Sequence, residues 1–77
     1  MEKLLLLLVE PLVKDIKKIK IEKEREENRI KYILQIPKGD IAKVIGKSGK
    51  MIKAINSLLK LRAIKENMYA SCELQEV

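Results

Sequence analysis

Apolar side chains in this 77-residue chain change their spacing along its length, from helical to alternating and back to helical. That succession constrains the fold more than any single motif, because a period of about 3.6 belongs to helices and a period of 2 to half-buried strands. Leu5, Leu8, Leu12 and Ile16, flanked by Leu4, Val9 and Val13, predict a first helix from residue 2 to about 17. Pro11 falls inside it and, lacking an amide proton, predicts a kink or a division into two pieces. Ile19 and Ile21 then alternate with Lys18, Lys20 and Glu22, as in a strand. Glu24 to Asn28 is polar throughout and reads as a hairpin connection. Ile30, Tyr32, Leu34 and Ile36 alternate again, with Ile33 on the opposite face, and Pro37-Lys38-Gly39 ends this second strand.

Asp40 is a suitable N-cap for a short helix over Ile41–Ile45, which Gly46-Lys47-Ser48-Gly49 interrupts. A longer helix is predicted from Lys50 to about Glu66, with Ile52, Ile55, Leu59 and Ala63 on one face. Met51, Leu58, Leu61 and Ile64 widen that face, so the helix is expected to be covered on more than one side. Asn67 is expected to cap it, and Met68–Val77 reads as a last strand. The resulting order is helix, strand, strand, short helix, loop, long helix, strand, an α+β arrangement.

The composition excludes most chemistries. The chain has no His, Phe or Trp, and its aromatic residues are Tyr32 and Tyr69. Without His there is no general base poised near neutral pH and no common zinc ligand. Ser48 therefore has no partner to make it a hydrolytic nucleophile. Cys72 is the lone cysteine, reads as a small buried hydrophobe, and fits a reducing cytoplasm. The Leu4–Val9 run is too short to cross a membrane, so no membrane insertion is expected. Glu22, Glu24, Glu26 and Glu27 read as a solvated hairpin; no metal or cofactor is expected.

Positive charge is concentrated in one segment. The net charge is +6, yet residues 38–65 carry eight basic side chains against Asp40 alone. That is the footprint of a surface for a polyanion. Within it, two glycines bracket Lys47-Ser48 at the start of a helix, where free amides and the helix dipole favour a phosphate. Lys43, Lys47, Lys50 and Lys53 add charge around the same point. The Gly46-Lys47-Ser48 run also matches the end of a nucleotide-binding P-loop, but that motif needs a glycine where this chain has Ile41, and a strand feeding the loop directly.

The stretch Val44-Ile45-Gly46-Lys47-Ser48-Gly49-Lys50-Met51-Ile52 resembles the KH-domain signature, Val/Ile-Ile-Gly-x-x-Gly-x-x-Ile. The element order is similar to the type II arrangement of that fold. Glu10-Pro11-Leu12-Val13 resembles the Lys/Glu-Pro-Leu-Val of the small bacterial single-KH RNA-binding proteins, the KhpA family. The resemblance implies one KH domain over residues 1–77, with a three-stranded mixed sheet packed against helices on one face. It implies that Gly46, Lys47, Ser48 and Gly49 grip the backbone of about four nucleotides of single-stranded RNA while the bases lie in an aliphatic groove. Val44, Ile45 and Ile52 occupy the aliphatic motif positions, where building the core beneath the groove is the commoner role. The resemblance further implies a non-enzymatic, cytoplasmic RNA chaperone or post-transcriptional regulator, linked to cell-envelope synthesis and cell shape. It implies pairing too, as a homodimer or with a second KH-containing protein. The other reading is a dimerisation or scaffold module with incidental nucleic-acid affinity, and single-stranded DNA stays open beside RNA.

Overall fold

The computed structural model describes residues 1–77. Helix α1 (Glu2–Val9) is followed by two single 3₁₀ turns, Glu10–Leu12 and Ile16–Lys18. Strands β1 (Lys20–Glu26) and β2 (Arg29–Ile36), helix α2 (Lys38–Ile45), a 3₁₀ turn (Lys47–Gly49), helix α3 (Lys50–Lys65) and strand β3 (Tyr69–Glu76) complete the chain. No helix is long and apolar enough to cross a membrane.

The sheet is mixed, in the order β1-β2-β3. β2 is central, antiparallel to β1 and parallel to β3. Ile30, Tyr32, Leu34 and Ile36 of β2 are all buried on one face. Ala70 and Cys72 of β3 flank two of them, in register with Ile30 and Tyr32. Leu5 and Val9 of α1, Val44 of α2, and Ile55, Leu59 and Ala63 of α3 complete the core against them. The expected α+β architecture and helical layer are thus present.

Several boundaries differ from expectation, each for a physical reason. The first helix stops at Val9, because Pro11 can occupy a 3₁₀ turn but cannot donate within a helix. Val13 is then extended, and Asp15 starts a separate turn, its carboxylate accepting from the Lys17 amide at 3.0 Å. The hairpin connection is only Glu27-Asn28, with Glu27 at φ +51°. Glu24, Arg25 and Glu26 belong to the ladder, where Glu24 faces Lys31 and Glu26 faces Arg29. Opposite charges across an antiparallel pair favour strand at positions whose polarity alone suggested a loop. Leu5 and Val9 are buried, while Leu7 of the same helix is 68% exposed, so the leucine run is covered on one side only.

Asp40 is not the cap of α2. The helix begins earlier, after Pro37, and Asp40 sits buried in its first turn. Its Oδ2 accepts from the Lys14 amide at 3.4 Å, tying the connection after α1 to the start of α2, while Oδ1 has no partner. At the other end of the helical pair, Asn67 lies one residue past the α3 cap at φ +56°. The Met68 amide donates to Ala63 O and the Asn67 amide to Ile64 O, a Schellman closure that aims the chain into β3.

The side chain of Asn56 makes a contact that the sequence pattern does not announce. Its Oδ1 accepts from the Cys72 amide at 2.8 Å and its Nδ2 donates to Cys72 O at 3.2 Å. The amide side chain of α3 thus pairs with β3 as a neighbouring strand residue would. Removing it leaves a donor and an acceptor of β3 without partners, and Asn56→Ala is expected to cost about 1–3 kcal/mol in denaturant unfolding. A cost below about 0.5 kcal/mol would mean that water replaces the pair. Burial, with Glu73 adding to it, pushes the Cys72 thiol up to about 11 from 9.0. The unfolded thiol therefore ionises first, and stability falls as pH rises from 9.0 toward 11, with no pH dependence from Cys72 below that window. Thermal melts should show the native protein losing stability across the window faster than Cys72→Ala; parallel curves would refute the assignment.

Candidate nucleic-acid interface

α2 and α3 form a helical hairpin whose tip is the Gly46–Gly49 loop. The loop is fed by a helix, unlike a P-loop, which a strand feeds. Gly46 has φ +78° and ψ 172°, a conformation essentially confined to glycine. A Cβ there would lie 2.6 Å from Met51 Cβ and 2.8 Å from the Met51 amide nitrogen. Both backbone angle and close packing on the first turn of α3 therefore require glycine at 46. Gly49 is left-handed at φ +74°, but space around it is open, so only the backbone angle matters there.

Between the glycines, Ser48 is also left-handed, at φ +56° and ψ 28°. The Gly49 amide closes the turn onto Gly46 O at 3.2 Å. The amides of Lys47 and Ser48 donate to no carbonyl or side chain, and both residues are exposed. Two free N–H groups thus stand at the N-terminal end of a 16-residue helix, where its dipole is positive. Such a tip has the geometry and polarity that suit an anion.

Lys43, Lys47, Lys50 and Lys53 are all exposed, and none forms a salt bridge. Their charge is not spent within the fold. The three aliphatic candidates separate. Val44 is completely buried and belongs to the core, so it supports the loop and cannot touch a ligand. Ile52 is half-buried against the same core, and Ile45 is 39% exposed beside the loop. Periodicity on α3 foretold the inner role of Ile52; nothing in the sequence separated Val44 from Ile45. Two residues that shape the site went unrecognised as such. Asp40 anchors the start of α2, and Asn56 fixes α3 to β3. A lone acid in a basic segment was the available signal for Asp40, and Asn56 offered none.

The four apolar residues expected to be covered on a second side of α3 are not. Met51, Leu58, Leu61 and Ile64 are between 36% and 66% exposed.

A sequence-family model described as the KH domain of KhpA/KhpB matches residues 2–74. The RNA-binding protein KhpA of Chlamydia trachomatis is 38% identical over 76 residues, spanning 99% of this chain and 97% of the relative. Its counterpart in Listeria monocytogenes is 34% identical over 76 residues, spanning 99% and 100% respectively. That of Clostridium acetobutylicum is 32% identical over 74 residues, spanning 96% and 99%. No solved structure matched the chain. With a helical hairpin tipped by Gly-x-x-Gly, a three-stranded mixed sheet and a match along nearly its whole length, the chain belongs to the KhpA/KhpB family of KH domains.

Proposed function

We propose that this protein is a single KH domain, residues 1–77, that binds single-stranded RNA without catalysis. In this reading the Gly46–Gly49 loop clamps the backbone of about four nucleotides. The observation that carries it is the pair of unbonded amides, Lys47 and Ser48, at the exposed tip of a basic hairpin. Lys43, Lys50 and Lys53 supply the surrounding charge, Ile45 and Ile52 the aliphatic flank, and Val44 the core beneath them. The relatives named above are RNA-binding proteins by name, which supports the same reading. The same proposal gives it the role of a cytoplasmic RNA chaperone or post-transcriptional regulator, linked to cell-envelope synthesis and cell shape.

Binding should be backbone-dominated and therefore steeply salt-dependent, with log affinity falling by about 0.7 per log unit of salt for each phosphate neutralised. Fluorescence anisotropy with a labelled single-stranded RNA tests this against a Lys47→Asp, Ser48→Asp variant, after circular dichroism shows that both fold. Loss of binding in the variant is the expected outcome, since two carboxylates then face the phosphate. Equal binding by the two proteins would move phosphate recognition away from the loop. A DNA oligonucleotide of the same sequence separates contacts to the phosphate from contacts to the 2′-hydroxyl.

Pairing belongs to the same proposal. The outward strip of α3, from Met51 through Leu58 to Leu61, is apolar and has no cover within the chain. Association through it, with a second copy or another KH-containing protein, would place two loops on one RNA and raise avidity without new contacts. Leu61→Asp is expected to yield a folded monomer in sedimentation, because the side chain is 62% exposed and its replacement leaves the core intact. A native protein that stays monomeric at high concentration would eliminate self-pairing.

A further inference from the structure

The two tyrosines of this chain have opposite fates. Tyr32 is 2% exposed, locked in the core on β2. Tyr69, the first residue of β3, is 65% exposed. It stands in register with Arg29 at the hairpin end of the sheet. There it lines an open cavity of about 950 Å³, formed by the β1–β2 hairpin, the start of β3 and the C-terminal half of α3. Arg25, Arg29, Lys31 and Lys60 line this cavity against Glu24 and Glu26, so it is net basic. Lys31 pairs with Glu73 at 3.2 Å, while Arg25, Arg29 and Lys60 form no salt bridge. Ile64 and Met68 add an apolar wall.

The position of the cavity relative to the loop gives it a meaning. α3 starts at the loop, and Lys60 lies ten residues past Lys50, about 15 Å along the helix at 1.5 Å per residue. The contact of Asn56 with Cys72 identifies which flank of α3 overhangs the outer edge of β3. Lys53 and Lys60, three residues before and four after Asn56, project from that flank, and Ile64 continues it into the cavity. A row of cations therefore leads from the loop along the helix to a basic hollow at the edge of β3, where Tyr69 and Arg29 lie on the sheet face turned away from α3.

We propose that this hollow is a second nucleotide subsite, in which a base of the same single strand stacks on Tyr69 while Lys60 and Arg29 hold its phosphates. The proposal rests on the reading of the loop as an RNA clamp and extends the path of the strand beyond it. Aromatic stacking is tolerant of base identity because every base has a π-face, so the subsite adds length dependence more than sequence preference. One tyrosine is a poor platform for a whole binding surface. It suffices for one base at the end of a strand already held elsewhere.

The chain has no Trp, so tyrosine emission reports on the subsite directly once Tyr32→Phe removes the buried fluorophore. In that background a single-stranded RNA of about twelve nucleotides should quench Tyr69, and one of about four, the length of the clamp, should not. Tyr69→Ala, made in the native sequence, should weaken the longer RNA roughly 5- to 100-fold, the effect of losing one stacked base, and Tyr69→Phe should restore it. Circular dichroism of each variant guards against misfolding. If the longer RNA binds, depends on the loop, and neither quenches Tyr69 nor notices Tyr69→Ala, the subsite is refuted and the loop reading stands. If the Lys47→Asp, Ser48→Asp variant binds as the native protein does, the loop reading fails and this proposal falls with it.

Discussion

Parallel pairing between β2 and β3 is the constraint from which the rest of this small fold follows. Two parallel strands cannot be joined by a tight turn; the chain must travel back across the sheet before it can pair. Here it does so through α2 and α3, and that return path covers the apolar face of β2 with Val44, Ile55, Leu59 and Ala63. The reversal between the two helices has to lie at the extremity of the hairpin. Gly46, in a backbone conformation closed to other residues and pressed against Met51, makes that reversal sharp enough for α3 to start at once. A connection demanded by topology thus ends up presenting two unbonded amides to solvent.

The distribution of charge follows the same division. The core is aliphatic apart from Tyr32, Cys72 and the buried carboxylate of Asp40. On the solvent face of the sheet, Glu24 and Glu26 of β1 sit opposite Lys31 and Arg29 of β2, and Lys31 pairs with Glu73 of β3. The crossover hairpin has no such partners, so its lysines project a field outward.

Much of this could be read from the residues alone. Alternation in Ile30, Tyr32, Leu34 and Ile36 marked the central strand, because a strand with one buried face must alternate. Helical spacing of Ile55, Leu59 and Ala63 gave the inner face of α3, and the paired glycines gave the tip of the hairpin. What escaped notice was decided by contacts between distant segments. Glu24 and Glu26 looked like loop until Lys31 and Arg29 were placed across from them. Asp40 looked like a cap, but the Lys14 amide, 26 positions earlier, draws it inward. Nothing local distinguishes Asn56 from any other polar helix residue, and its value appears only when Cys72 lies beside it. Exposure of the outer strip of α3 was equally hidden, since apolar periodicity says that a face wants cover and not what supplies it.

The pairing of Asn56 with Cys72 has a consequence for how copies of this protein can meet in a crowded cell. An edge strand is an open template, and short proteins with bare edges run together into extended sheets. At the middle of β3 the template is already occupied by a side chain of the same molecule. An incoming strand would find its hydrogen-bonding row interrupted at Cys72 and could engage only the short pieces on either side. One amide thus divides the open row of β3 into two short pieces, each a poorer template for another strand than an unbroken edge.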